Sequence, residues 1–136
     1  MNNIFILPST KILEAMKILT LAGSQCLIVA DKKKYFYGTL NDGDLRRGIL
    51  KGLSGKDTIQ SLYQKKSIFI FEEEFSMSFA RSLMRKHRLP VLPILNKKKL
   101  ISNYLTWNKA FGIKKDNSLK NADFIIMAGG KGTRLL

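Results

Sequence analysis

The stretch Cys26-Leu-Ile-Val-Ala-Asp-Lys-Lys-Lys34 returns sixty-five residues later as Val91-Leu-Pro-Ile-Leu-Asn-Lys-Lys-Lys99. Each copy is a short apolar run ending in Asp or Asn and three lysines, which reads as a β-strand delivered into a tight turn. The same offset, without gaps, lays Ile12, Ala15, Ile18 and Leu19 on Met77, Ala80, Leu83 and Met84, and Leu40 on Leu105. Identities are few, but the apolar positions carry through. A repeat shorter than a domain exists because one unit cannot bury its apolar face alone, so two copies packed face to face are expected.

Within the first copy, Ile12, Ala15, Met16 and Leu19 recur at the spacing of an amphipathic helix. Thr10 is placed to cap it, Glu14 lies in its first turn, and Gly23 can stop it. The apolar run and residues 34–40 then read as a hairpin around the Asp31-Lys turn. Asn41 or Asp42 caps a second helix over 44–50, ended by Gly52. The second copy predicts a helix near 76–86, strands near 91–95 and 100–105, and a short helix from Thr106. Apolar stretches at 4–7 and 67–71 precede the two copies and are candidates for additional strands.

Composition narrows the class. The 136 residues are 45% hydrophobic and 25% charged, a globular balance that argues against wholesale disorder. One cysteine, Cys26, rules out an internal disulfide framework and a cysteine-based zinc cluster. No apolar run approaches the roughly 20 residues needed to cross a bilayer, and no secretory leader is visible, so a cytoplasmic location is expected. Lys and Arg number 24 against 10 acidic residues, a net charge of +14 that attracts polyanions. The lysines cluster at polar breaks, however, without the interleaved aromatics of a nucleic-acid stripe.

The tandem unit resembles the cystathionine-β-synthase (CBS) domain pair over roughly residues 8–113. Three segments carry the resemblance: Thr10-Lys-Ile-Leu-Glu-Ala15, Leu27-Ile-Val-Ala-Asp31 and Gly38-Thr-Leu-Asn-Asp-Gly-Asp44-Leu-Arg-Arg47. The last is similar to the family's Gly-x-x-Thr/Ser-x-x-Asp signature. The resemblance implies an α+β fold of two β-α-β-β-α units, residues 1–64 and 65–113, about a pseudo-two-fold axis, with a short C-terminal strand. It also implies clefts for an adenosine-type nucleotide such as AMP, ADP or ATP. Asp44 matches the residue that accepts ribose hydroxyls, Arg46 and Arg47 would face phosphates, and Thr10 stands near the ligand. Asn41 replaces the usual Thr or Ser. In the second copy Asn103 stands for the Gly, Thr106 keeps the hydroxyl, and Lys109 replaces the ribose Asp, so at most one well-formed adenosine site is expected. Two readings stay open: a nucleotide sensor, and a ligand-free scaffold that joins two copies into a homodimer. Nucleic-acid binding through the basic field is a third and weaker reading.

Beyond a polar linker at 114–121, the segment 122–136 runs as an apolar strand into Gly129-Gly-Lys-Gly-Thr-Arg-Leu135. A strand delivering glycines and a basic residue is suited to cradling phosphate, because backbone N–H groups can approach the oxygens. It is not the P-loop spacing. It resembles the opening of bacterial sugar-phosphate nucleotidyltransferases. That implies contacts to the incoming nucleotide from Gly129, Gly130, Lys131, Gly132, Thr133 and Arg134, with Mg2+ needed only by a full-length transferase. The expectation is an N-terminal piece of such an enzyme, inactive alone and without catalytic residues or a metal site. The remaining candidates are bland. His87 complements a helix dipole, Cys26 packs in the core, Trp107 packs rather than stacking on a base, and Glu72-Glu-Glu74 is a solvated cluster.

Overall fold

The computed structural model describes residues 4–112. The first unit contains β1 (Phe5–Ile6), α1 (Ile12–Ala22), β2 (Cys26–Ala30), β3 (Phe36–Asn41) and α2 (Asp42–Leu50). The second contains β4 (Ile70–Phe71), a 3-10 turn (Glu72–Glu74), α3 (Met77–His87), β5 (Val91–Leu95), β6 (Ile101–Thr106) and α4 (Trp107–Phe111). Every strand and α-helix of the second unit begins sixty-five residues after its counterpart. Each unit builds one three-stranded sheet, ordered β1-β2-β3 and β4-β5-β6. The outer short strand runs parallel to the middle one, and the hairpin partner runs antiparallel. The hairpins share their register, with Cys26 opposite Asn41 and Val91 opposite Thr106, and both carry an irregularity one residue before the strand ends.

Side-chain chemistry explains the matching turns. Asp31 Oδ1 accepts the N–H groups of Lys33 and Tyr35, both at 2.9 Å, and Asn96 Oδ1 accepts those of Lys98 (2.8 Å) and Leu100 (3.0 Å). Asp and Asn are interchangeable here because each offers a short side-chain oxygen to the following backbone. Helix α1 buries Ile12, Ala15 and Leu19, while Met16 sits at the rim and is 39% exposed. Its N-cap is Lys11 and not Thr10, one residue later than expected, and no side chain caps it. The Thr10 hydroxyl instead accepts the Leu7 N–H at 3.0 Å, closing the turn before the helix. Gly23 does end α1, in the left-handed region at φ 63, and Arg88 holds the equivalent place after α3 at φ 54.

The units meet along their hairpin tips. Phe36 N–H donates to the Lys99 carbonyl (3.0 Å), and Ile101 N–H donates to the Lys34 carbonyl (2.8 Å). These bonds are pseudo-two-fold mates, since 36 and 101, like 34 and 99, differ by sixty-five. Leu27, Ile28 and Val29 are wholly buried, and Val91, Leu95 and Ile101 join their cluster from the opposite unit. Phe5 meets Tyr104 edge-on across the seam, ring centres 5.5 Å apart. A separate cluster around Ala80, Met84, Leu92 and Leu105 holds α3 and α4 on the second sheet.

The connection over 51–69 has few regular elements but is packed. Ile59 is fully buried, and Gln64 pairs with Thr39 on the flank of β3. Gly38 makes that approach possible, because a Cβ there would lie 2.1 Å from the Gln64 carbonyl oxygen. No helix among the described residues is long and apolar enough to cross a membrane.

Candidate clefts at the seam

Two clefts open where the units meet. The first, of about 350 Å³, is lined by Cys26, Thr39 and Asn41 of the first hairpin, by Gln64 and Ser67 of the connection, and by the turn after α3. The second, of about 870 Å³, is lined by the turn after α1, by Arg85 and Arg88, and by Tyr104, Thr106, Trp107 and Asn108. They are related by the pseudo-two-fold: the turn at 87–91 faces the first, and the turn at 22–25 faces the second.

The first cleft leads to the start of α2, which is held by a reciprocal cap. Asn41 Oδ1 accepts the Asp44 N–H (2.8 Å), and Asp44 Oδ2 accepts the Asn41 N–H (3.0 Å). This box satisfies two backbone donors that a helix start leaves open. The other carboxylate oxygen, Asp44 Oδ1, accepts from Arg47 Nη2 (2.6 Å) and from Gln64 Nε2 (2.8 Å). The Asp44 side chain is only 1% exposed, and three donors, one of them a guanidinium, surround a charge that would otherwise be costly to bury. Arg46 pairs with Asp42 on the exposed side of α2. Of the predicted nucleotide-binding residues only Asn41 lines the first cleft; Asp44 lies behind Asn41 and Gln64, neither Arg46 nor Arg47 reaches the wall, and Thr10 lines neither cleft.

Burial pushes the Cys26 thiol up to about 12. The negative charge of Asp44 adds to that rise, while hydrogen bonds from Thr39 and Leu40 oppose it. Cys26 is therefore an inert neutral thiol at neutral pH, as a core cysteine should be.

In the second cleft Thr106 caps α4, its hydroxyl accepting the Lys109 N–H at 3.2 Å. Lys109, at the position equivalent to Asp44, lays its ammonium over the Tyr104 ring at 4.5 Å. Trp107 packs on Phe111, ring centres 4.4 Å apart, yet remains 41% exposed on the cleft wall. The cleft that lacks a counterpart of Asp44 is thus the roomier one. Its cations, Arg85 and Arg88, carry no motif in sequence. They enter the site because α3 and its turn pack beside α4 within the second unit, Arg85 lying over the Phe111 ring at 4.8 Å. Gln64 and Ser67 were equally invisible, since nothing local predicts which side of β3 a connection will follow.

Among the described residues no group of three or more His, Cys, Asp or Glu could hold a metal ion. Glu72, Glu73 and Glu74 are exposed on the 3-10 turn, Glu73 facing Lys97 at 3.4 Å. His87 is the last residue of α3 and lies on the wall of the first cleft. The phosphate-cradle segment with Gly129, Gly130, Lys131, Gly132, Thr133 and Arg134, and the linker before it, lie outside the described residues.

No family model matches the sequence, and no curated protein matches it significantly. Solved structures do. A CBS domain pair/ACT domain protein from Thermotoga maritima superposes with a TM-score of 0.68 at 18% identity, over 80% of this chain and 85% of that one. The protein CBSX2 in complex with AMP gives 0.67 at 19% identity, over 80% and 84%. GMP reductase from Trypanosoma brucei, in complex with guanosine 5'-monophosphate, gives 0.65 at 23%, over 85% of this chain and 25% of that one. The chain has the fold of a CBS domain pair.

Proposed function

We propose that this chain is a nucleotide-binding regulatory module, taking an adenosine-type nucleotide at the seam between its units. The observation that carries the reading is the pair of polar-rimmed clefts in a fold whose solved examples include complexes with AMP and GMP. Asp44, bonded behind Asn41 and Gln64 of the first cleft's wall, is the candidate ribose acceptor. Thr106 and the guanidinium groups of Arg85 and Arg88 are the candidate phosphate partners of the second. In this reading Thr10 closes the turn before α1, and Arg46 and Arg47 pair with the acids of α2, more than they touch ligand. A nucleotide that fits one packing of the units better than another shifts that packing, which is all that regulation requires.

The domain served, on this proposal, is a cytoplasmic sugar-1-phosphate nucleotidyltransferase whose opening is the loop at 129–135; Mg2+ would be used there and not in the clefts. The support is the sequence Gly-Gly-Lys-Gly-Thr-Arg-Leu after the apolar run Phe124-Ile-Ile-Met-Ala128. A second reading, a scaffold that joins two copies, is favoured by Leu13, Leu21 and Leu50, which α1 and α2 leave 53%, 77% and 79% exposed.

Calorimetric titration of AMP, ADP and ATP into the wild type and Asp44→Asn tests the choice. Saturable heat, weakened at least about ten-fold (about 1.4 kcal/mol) by Asp44→Asn, is expected for a ribose acceptor. Heat unaffected by Asp44→Asn but lost in Arg85→Ala moves the site to the second cleft, since Arg85 lines that cleft and not the first. No heat with any nucleotide, together with a concentration-dependent dimer in sedimentation, leaves the scaffold.

A further inference from the structure

We infer that residues 64–67 form a strap that closes the Asp44 carboxylate, and that the strap must lift before any ligand can reach it. This rests on the reading of the first cleft as a ligand site. A carboxylate offers about four acceptor positions, and three are filled here: by Asn41 N–H, Arg47 Nη2 and Gln64 Nε2. A vicinal diol needs two, so one donor has to leave. Asn41 and Arg47 are fixed locally by the cap and first turns of α2. Gln64 arrives from twenty residues further along the chain, and its amide is the one uncharged side-chain donor of the three. It occupies the place on Asp44 that a ligand hydroxyl would take.

The strap is held as a unit. Thr39 and Gln64 exchange backbone bonds, Gln64 N–H to Thr39 O at 2.8 Å and Thr39 N–H to Gln64 O at 3.2 Å. Ser67 Oγ sits 2.6 Å from Thr39 Oγ1, accepts the Thr39 N–H at 3.0 Å, and donates to the Gln64 carbonyl at 2.6 Å. The Ser67–Gln64 bond ties the strap to itself and the others fasten it to Thr39 or Asp44, so it would leave β3 as one piece. Gln64, Ser67 and Cys26 share the wall of one cleft, so lifting the strap also uncovers the chain's one cysteine. The strap belongs to the connection between the two units. Its displacement would therefore make occupation of the cleft felt at the joint between them.

Two variants of the full chain, Gln64→Ala and Ser67→Ala, are compared with the wild type by three readouts. These are the rate at which 4,4'-dithiodipyridine modifies Cys26, hydrogen exchange at the Thr39 and Gln64 amides, and the AMP dissociation constant. Exchange at the Leu92 amide, in the second sheet, controls for global loosening. Both variants should speed Cys26 modification and Thr39 exchange about ten-fold with Leu92 unchanged, and Gln64→Ala should tighten AMP about ten-fold. Unchanged modification and exchange, changes that extend equally to Leu92, or equal AMP affinity in wild type and Gln64→Ala overturn the strap. If modification and exchange accelerate but no variant binds AMP, the strap stands and the nucleotide reading fails.

Discussion

Lys34 and Lys99 share one backbone conformation, φ 72 and φ 65, and each gives its carbonyl oxygen to an N–H of the opposite unit. Neither is glycine, so both accept the steric cost of the left-handed region in order to aim that oxygen across the seam. Valine, branched at Cβ, tolerates this conformation least. Lys34→Val and Lys99→Val should each cost about 1–2 kcal/mol by urea unfolding, whereas Lys→Gly at either site should stay within about 1 kcal/mol of the wild type. A large difference between the two sites would contradict their equivalence.

Gly38 is required by space. Its missing Cβ leaves room for the Gln64 carbonyl, and a methyl group 2.1 Å from a backbone oxygen cannot be relieved by turning a side chain. Gly38→Ala should destabilise the chain by about 2–3 kcal/mol in urea unfolding. It should also break the pairing of Thr39 with Gln64, seen as faster exchange at both amides.

The capping box predicts an asymmetry between the units. Ser76 caps α3 with one bond, accepting the Phe79 N–H at 3.1 Å, and Ser76→Ala should cost about 1 kcal/mol. Asn41→Ala removes the acceptor of the Asp44 N–H but keeps the backbone N–H that donates to the Asp44 carboxylate, so it should also cost about 1 kcal/mol. Asp44→Ala removes the carboxylate that three donors share and should cost more, about 2 kcal/mol, in the same unfolding experiment.

Cys26 predicts behaviour in alkali. Its thiol titrates near 9.0 when unfolded and at about 12 when folded. Above pH 9 the unfolded chain has released a proton that the folded chain retains, so the contribution of Cys26 to stability is full below pH 9 and is lost as pH rises toward 12. Cys26→Ala should flatten the fall of stability with pH across that window, relative to wild type measured alongside. Parallel pH profiles would show that the thiol is not buried as described.

The order of elements was readable because the Asp31 and Asn96 turns repeat an unmistakable pattern and the apolar spacing around them repeats with it. The cap of α2 was readable as Asn41 or Asp42 for the same local reason, and the structure takes Asn41. Thr10 misled, because a capping residue two places before the first apolar position serves a turn as readily as a helix, and here the helix begins at Ile12 with Lys11 as its N-cap and no side-chain cap. Met16 fell on the apolar stripe, yet it lies at the edge of what the sheet covers. The ligation of Asp44 by Gln64 and the approach of Arg85 and Arg88 to Thr106 depend on how distant segments cross. No short window of sequence contains that information.

The seam has one more consequence. Its two hydrogen bonds are spelled in main-chain atoms that both units possess in the same geometry, so the backbone does not distinguish a sister unit from a twin. Preference for the unlike half therefore resides in side chains, such as Tyr104 meeting Phe5. A gene encoding the first unit alone would already specify both faces of a closed, symmetric particle, and tandem fusion would then free each face to diverge.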